Sequence, residues 1–576
     1  MTSVALKSIK LVLYLCGTII FNFDSFAQIN HAWSLGMGTE FSSDFALVST
    51  VDNQSNVYIS GLHSGGIDFD PGSGEFILEN NYDFDIFIAK YSSTGDLLYA
   101  KSIAGPNYEQ VTSISIDGNG NLIVCGNFYE SIDIDPTSSQ YILEANGEPD
   151  IFIAKYDASG NLLYGFHLGS EGGCWSKAST DEDNNIYVCG TFQNEMDADP
   201  GPGVDILTTS QFRSIFFAKF DSEGNYIFAR SLEGDGEDFD LVDSETDKYG
   251  NIFLSGYFWG TLDFDPGTNV EALYSDKEST FFAKYNTTGQ LIFVKNLVCT
   301  EYSLIRDFYI TSENDIILTG NYADTIDFDG GLSNYLLTAT ADANGFLARY
   351  DSLGNLKKVV PLSIISGYCA GWKLTSKDGS EIYITGSFES TIDFDPGPGE
   401  ALKTSNGAAD IFLAHYDTDF NYIDAVTIGG SEWDDSYSCS ITPEGDVYIT
   451  GSFSLAADFD PGEDEAILSS TGYEDIFLAK YTTTTVGTFQ PAVSHSPSTL
   501  SIHPNPTSET LTLNAGIVFQ QARVYVYDML GKLIYSGDDM NGEVLQLNLM
   551  GFTDGIYLVE VRQENRVWKN TLMISK

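Results

Sequence analysis

The sequence predicts an all-β protein: a seven-bladed β-propeller of four-stranded blades, followed by a small C-terminal β-sandwich. Three observations predict it. Gly61, Gly126, Gly190, Gly256, Gly320, Gly386 and Gly451 follow one another at intervals of 65, 64, 66, 64, 66 and 65 residues, each at the end of an apolar run. Every one is followed by an acidic D-x-D step and then by a strand shaped like DIFIAKY. The seventh copy lacks its last strand, while a matching strand stands near the other end of the chain. A period of this length over seven copies is the signature of stacked supersecondary units.

Composition narrows the function classes. The 576 residues carry 27 Lys+Arg against 82 Asp+Glu, a net charge of −55, which repels nucleic acid and anionic lipid alike. The chain is 43% hydrophobic and 13% aromatic, so it is no disordered acidic tail. Its 55 glycines against 16 prolines suit many strands joined by tight turns.

In chain order, residues 1–27 read as a secretory leader. Lys7 and Lys10 precede the apolar run Leu11 to Phe21, and Ser25-Phe26-Ala27 forms a small-x-small cleavage site before Gln28. That run falls short of the ~20 residues a membrane-spanning helix needs, so the mature chain is expected to have no transmembrane segment.

Residues 28–481 are the propeller. In the second copy VTSISID alternates with period two, DGNGN turns, and NLIVCGNF forms a second strand. A longer connection, SIDIDPTSSQYILEANGEP, leads to DIFIAKYD, the turn ASGN and LLYGFHLG. Four strands, two tight turns and two longer loops make one blade, with alternation leaving each strand half buried. The seventh unit stops in TTTT after Asp475–Tyr481, and Ile29–Gly36 (INHAWSLG) matches the missing fourth strand. The N-terminal strand is therefore expected to complete the last blade and close the ring, removing the edges a linear array would expose.

Residues 482–498 form a Thr/Ser/Pro linker, and residues 499–576 carry alternating strands without the 65-residue period. Six cysteines remain after the leader: Cys125, Cys174, Cys189, Cys299, Cys369 and Cys439. Their spacing identifies no pairing, and apolar contexts such as LIVCG read as small buried hydrophobes.

Two resemblances follow from these residues. The repeat, quoted by Gly445–Gly451 (GDVYITG) and Asp150–Gly160 (DIFIAKYDASG), resembles the seven-bladed propeller repeats of secreted bacterial proteins over roughly residues 28–485. The D-x-D-P-G step is a departure from that pattern. The tail carries Pro504-Asn505-Pro506-Thr507, then Asp528 to Gly531 (DMLG), then Gly555 to Val559 (GIYLV) and Lys569 to Lys576. In this order they resemble the type A sorting domain of the type IX secretion system. That resemblance implies the type IX machinery as a partner, and release at or attachment to the outer cell surface.

No HExxH, G-x-S-x-G or phosphate loop is present, so no catalytic residue is nominated. Two repeated features are candidates for binding. The D-x-D pairs are Asp68/Asp70, Asp133/Asp135, Asp197/Asp199, Asp263/Asp265, Asp327/Asp329, Asp393/Asp395 and Asp458/Asp460. Carboxylates at i and i+2 lie on one side of an extended chain and suit calcium. Aspartate equally starts turns with no metal, and no cofactor is required. The connection entering each blade holds an aromatic: Phe41, Tyr108, Trp175, Phe239, Tyr302, Tyr368 and Trp433. Rings beside acids suit sugar stacking and hydroxyl recognition, or else pack between blades. The functional reading is a secreted or surface-attached, non-enzymatic binding or adhesion module for extracellular polysaccharide or another surface ligand. The alternatives are a hydrolase or lyase on the propeller face and a structural matrix component.

Overall fold

The computed structural model describes residues 27–574 except 41, 73, 81–83, 148, 171–173, 210–212, 236–237, 331–334, 463, 486–499, 504–506, 508–509, 515–517, 529–531, 550 and 564–565. Residues 1–26 of the leader, Phe41, most of the linker, residues 504–506 and residues 529–531 of the tail motifs thus lie outside the described residues, and of Trp175 only the backbone is described. The chain divides into two compact units, one within residues 25–486 and one within 487–576. The described residues are strands and loops throughout, and no helix among them is long and apolar enough to cross a membrane.

The larger unit is a succession of antiparallel sheets with four-stranded cores. The first comprises Phe45–Val51, Val57–His63, Asp85–Tyr91 and Leu97–Ile103, in that order across the sheet. The second starts at Glu109–Ile116, the third at Cys174–Thr180, the fourth at Asp238–Thr246, the fifth at Ser303–Ile310 and the sixth at Cys369–Thr375. The seventh orders Asp434–Ile441, Val447–Phe453 and Asp475–Thr485, and its fourth strand is Ala27–Met37 from the other end of the chain. The register runs antiparallel from Ala27 opposite Thr485 to Met37 opposite Ile476. The strand Ile29–Gly36 therefore pairs where the repeat grammar places it.

Apolar clusters join each sheet to the next, and the series returns to its start. One cluster packs Tyr58, Ile86 and Ile88 of the first sheet against Val111 and Val124 of the second. Another packs Tyr448, Ile476 and Leu478 of the seventh against Ala46, Val57 and Phe87 of the first. Polar contacts cross the same seam: the Asp44 amide donates to the Glu474 carbonyl at 2.9 Å, and the Tyr448 hydroxyl to the Ser55 carbonyl at 3.2 Å.

Neighbours on both faces change the expected burial. Val57–His63, Asp85–Tyr91 and their counterparts in the second sheet are buried along their whole length rather than alternating. Alternation survives in the fourth strands, where Leu98 and Leu163 point outward.

The repeated glycines also differ from expectation: each strand runs on beyond its glycine, by two residues in six sheets and by seven in the fourth, where Ile252–Asp263 continues past Gly256. In six of the seven sheets the first strand carries a bulge opposite this segment, at Leu47, Thr112, Val242, Arg306, Trp372 and Tyr437. The bulge drives a carbonyl against the glycine. A Cβ on Gly61 would lie 1.8 Å from the Phe45 oxygen, and on Gly320, 1.9 Å from the Leu304 oxygen. Only glycine admits that approach.

The smaller unit encloses one core between two antiparallel sheets. Three strands (Ser501–His503, Thr510–Asn514, Leu545–Asn548) face four (Leu533–Gly542, Phe519–Asp528, Gly555–Gln563, Arg566–Ile574). Leu513, Val524, Val559 and Leu572 are fully buried between them.

Candidate functional site

Every D-x-D step folds in one way. The first carboxylate accepts two backbone N–H groups: Asp263 Oδ1 takes those of Asp265 at 3.1 Å and Glu271 at 2.8 Å. Asp68, Asp133, Asp197, Asp327, Asp393 and Asp458 do the same. The second carboxylate caps the following turn, as when Asp265 accepts the Gly267 N–H at 2.8 Å; Asp135, Asp199, Asp395 and Asp460 act alike. These are Asx turns, in which a side chain replaces a backbone acceptor.

Asp329 departs from the others. Gly330-Gly331 follows it in place of Pro-Gly, and residues 331–334 lie outside the described residues. Its backbone N–H closes the turn on Asp327 Oδ1 at 3.1 Å, as in the other copies. A calcium loop needs six or more oxygens. Among the described residues no three His, Cys, Asp or Glu side chains gather as a metal site, around Asp329 or around any other D-x-D step. At each step one oxygen of the first acid, Asp327 included, accepts two amides, so the turn is closed by the carboxylate itself.

Between the two acids a buried side chain points inward, Phe69, Phe264, Phe328, Phe394 and Phe459 among them. Its carbonyl is gripped by the tyrosine of the A-K-Y strand. Tyr91, Tyr156, Tyr285, Tyr350, Tyr416 and Tyr481 donate to the carbonyls of Phe69, Ile134, Phe264, Phe328, Phe394 and Phe459 at 2.6–2.9 Å. The third sheet has Phe220 at this place. The neighbouring lysine ties its own sheet to the next: Lys155 pairs with Asp117 at 2.9 Å and donates to the Ser222 carbonyl at 2.9 Å. Lys480 pairs with Asp446 at 2.8 Å and reaches the Ser93 carbonyl of the first sheet at 3.1 Å. In the sixth sheet His415 takes the position, stacked on Tyr383 at 4.2 Å, and burial pushes its pKa down to about 4.

Three seams press acids together. Asp44 meets Asp475, Glu109 meets Asp85, and Asp434 meets Asp410. Burial first, with the partner's charge adding to it, pushes Glu109 up to about 8 and Asp434 to about 7. Asp44 rises to about 6 for the same reasons.

The candidate aromatics divide. Phe239 is buried in the core between the third and fourth sheets. Tyr108 and Trp433 are exposed, with Tyr108 edge-on to Tyr129 at 6.4 Å. Tyr302 and Tyr368 both lie beside Arg306, a residue that sequence reasoning did not single out.

Arg306 belongs to a place where all seven sheets converge. A cavity of about 540 Å³ is lined by the first strands of all seven, and each of the six bulged residues is in its wall. Bulges re-aim side chains, and here they aim them at this shared space. Leu47, Thr112 and Val242 furnish one side with small or apolar groups. The other side carries Arg306, Trp372 and Tyr437 on three consecutive sheets. The Arg306 guanidinium sits 4.2 Å from the Trp372 ring centre, and Tyr437 meets that ring edge-on at 6.3 Å.

Each polar head is anchored by the residue after the repeated glycine of its own sheet. Arg306 Nε donates to Asn321 at 3.2 Å, and Trp372 Nε1 to Ser387 at 3.2 Å. Tyr437 Oη lies 3.4 Å from Ser452 Oγ. Such anchoring fixes the rings as platforms.

Below them runs a charged chain across four sheets. Lys177 pairs with Asp243 at 2.6 Å, and Lys373 pairs with Asp307. Burial raises Asp307, the nearby charge of Asp243 adding to it. Burial opposes the charge on Lys373, but Asp307, Asp243 and Glu245 outweigh it and hold the lysine protonated. Glu245, in the cavity wall, is pushed up to about 7, by burial and then by Asp243 against the lysines. All six cysteines are free and buried.

Residues 501–575 match the family of the secretion system C-terminal sorting domain. The chain is 25% identical over 205 residues to an uncharacterized WD repeat-containing protein of Acanthamoeba polyphaga mimivirus, covering 31% of this chain and 15% of that protein. It is 20% identical over 379 residues to the regulatory protein FlaEY of Caulobacter vibrioides, covering 64% of this chain and 32% of that protein. The chain thus spans under a third of either curated relative. Among solved structures it is similar to a protein of unknown function from Dyadobacter fermentans, at 8% identity and a TM-score of 0.36 over 79% of this chain and 99% of that one. It is also similar to an ulvan lyase of the polysaccharide lyase type PL25, at 12% identity and a TM-score of 0.37 over 79% of this chain and 94% of that one. Its C-terminal segment carries a secretion-system sorting domain, and the protein is exported by type IX secretion to the cell surface or the extracellular space.

Proposed function

We propose that the cyclic series of sheets is a seven-bladed propeller, and that the exported protein is a non-enzymatic binding module whose ligand is an extracellular carbohydrate. One observation carries the reading: on the cavity where all seven sheets meet, Arg306, Trp372 and Tyr437 form a fixed aromatic and hydrogen-bonding wall, with Tyr302 and Tyr368 beside it. Sugar rings offer C–H faces to aromatic platforms and hydroxyls to polar side chains, and such a wall supplies both. The test is a glycan-binding screen on the purified protein, with and without calcium. Trp372→Ala should abolish binding while the thermal transition persists; full binding by this variant would refute the reading.

A second reading, a polysaccharide-cleaving enzyme, is favoured by Glu245: a carboxyl titrating about 7 in a cavity wall suits general acid–base work. New reducing ends or unsaturated sugars from a bound polymer, lost in Glu245→Gln, would establish it.

A further inference from the structure

Building on the carbohydrate reading, we propose that the cavity recognises an acidic sugar unit, its carboxylate or sulfate group pairing with Arg306. The argument is electrostatic and begins with a disproportion. Over the whole chain acids outnumber Lys+Arg by 82 to 27. In the cavity wall the order reverses: Lys177, Arg306 and Lys373 stand against Asp243 and Glu245. With Asp307 beneath Lys373 the three cations face three acids, and burial pushes one of them, Glu245, up to about 7, so the acid excess of the chain is absent from this wall.

The cations are not equivalent. Lys177 and Lys373 are neutralised by Asp243 and Asp307. Arg306 has no carboxylate within salt-bridge distance among the described residues, although acids abound in this chain. Its Nε donates to Asn321 and the Tyr368 hydroxyl takes a further hydrogen bond, which leaves donors of the five-donor fork uncommitted. The guanidinium carbon lies 4.2 Å over the Trp372 ring centre, a cation–π contact that pre-organises the fork. A planar, pre-oriented fork is the group that binds carboxylate or sulfate through two parallel hydrogen bonds. Trp372 and Tyr437 then flank the position of the sugar ring that carries the anion.

The surrounding charge sets the kind of ligand. A chain at −55 repels a long polyanion at low ionic strength, while beyond about a Debye length of 8 Å at physiological salt that repulsion is screened. The site therefore suits one acidic residue, as a chain end or a sparse substituent, rather than a densely charged polymer.

The experiment is a paired glycan array probed with the full exported protein: uronic-acid oligosaccharides, their methyl esters and sulfated members beside unsulfated ones. The acidic members should bind, and esterification or desulfation should weaken binding by tenfold or more. Arg306→Gln should erase the preference for acid and Arg306→Lys should keep only part of it. Glu245→Gln should tighten the acidic members alone, which keeps the test meaningful if Arg306 variants fold poorly. Equal binding of acidic and neutral members, unchanged in Arg306→Gln, overturns this inference and leaves the carbohydrate reading intact. Binding of no member overturns both.

Discussion

Raising the pH from 5 to 9 should weaken the larger unit, and the carboxyl pairs at its seams set the size of the effect. Glu109 is fully buried against Asp85 and titrates at about 8 instead of the ordinary 4.5. A carboxyl with a raised pKa binds its proton more tightly folded than unfolded. Its contribution is therefore intact near pH 4.5 and is lost as the pH climbs through 8. At 1.36 kcal/mol per unit the loss at this one seam is on the order of 5 kcal/mol. For some 450 residues, with an unfolding entropy near 2.1 cal/mol/K per residue, that is a fall of about 5 °C in melting temperature. Exposed carboxylates do not contribute, because they are ionised throughout the upper part of this range. Calorimetry at pH 5, 7 and 9, at constant ionic strength, measures it. Glu109→Gln removes the titration and should melt about 5 °C above the unmodified protein at pH 9. A melting temperature that rises between pH 5 and 9, or a variant with the same slope as its parent, would refute the reasoning.

Other outcomes are expected from the same structure. Deleting residues 28–36 should remove the last strand of the seventh sheet and leave the Asp475–Thr485 edge bare; the measurement is a lower melting temperature and a larger hydrodynamic radius, and unchanged values would mean that the strand closes nothing. Tyr350→Phe should cost about 1–3 kcal/mol by orphaning the Phe328 carbonyl, read by denaturant titration, while Phe220→Tyr should cost less than that or stabilise. Truncation after Ser498 should leave the protein in the periplasm, checked by cell fractionation; surface display would contradict the role of the tail. Millimolar calcium should raise the melting temperature beyond what sodium chloride of equal ionic strength does, and Asp68→Asn with Asp70→Asn should reduce calorimetric calcium uptake; equal shifts from the two salts would leave these aspartates as turn formers alone.

The scaffold was legible because its chemistry repeats. Glycine under a bulge, two acids flanking an inward apolar residue and A-K-Y with its variants A-K-F, A-R-Y and A-H-Y recur from copy to copy, and periodicity amplifies what recurs. The displaced strand was legible for the same reason, since Ile29–Gly36 carries the pattern of a fourth strand. The cavity wall was not, because it occupies the position at which the copies differ: Leu47, Thr112, Val242, Arg306, Trp372 and Tyr437 share a place in the repeat but no chemistry. A search for recurrence discards such a position. The signal that finds it is the opposite one: aligning the copies on their glycines and asking where one position departs most from its own average. Tyr302 and Tyr368 were found because an aromatic recurs in that connection. Phe239 shows why recurrence alone does not assign a surface role, for it is buried at the same place.

The pairing of residues 27–37 with residues 476–485 has a consequence for biogenesis. The strand that completes the seventh sheet is made first, and its partner more than 400 residues later, so the earliest segment waits on the order of half a minute at ordinary synthesis rates. Joining ends so distant costs little more entropy than joining nearer ones, because the cost grows only with the logarithm of length. Assembly is thus delayed without being made much less favourable. Every prematurely ended chain keeps an unpaired strand edge and a bare sheet face, whereas a complete one hides both. The join acts as a completeness check made by the molecule on itself, and the sorting segment is synthesised only after both halves of that check exist.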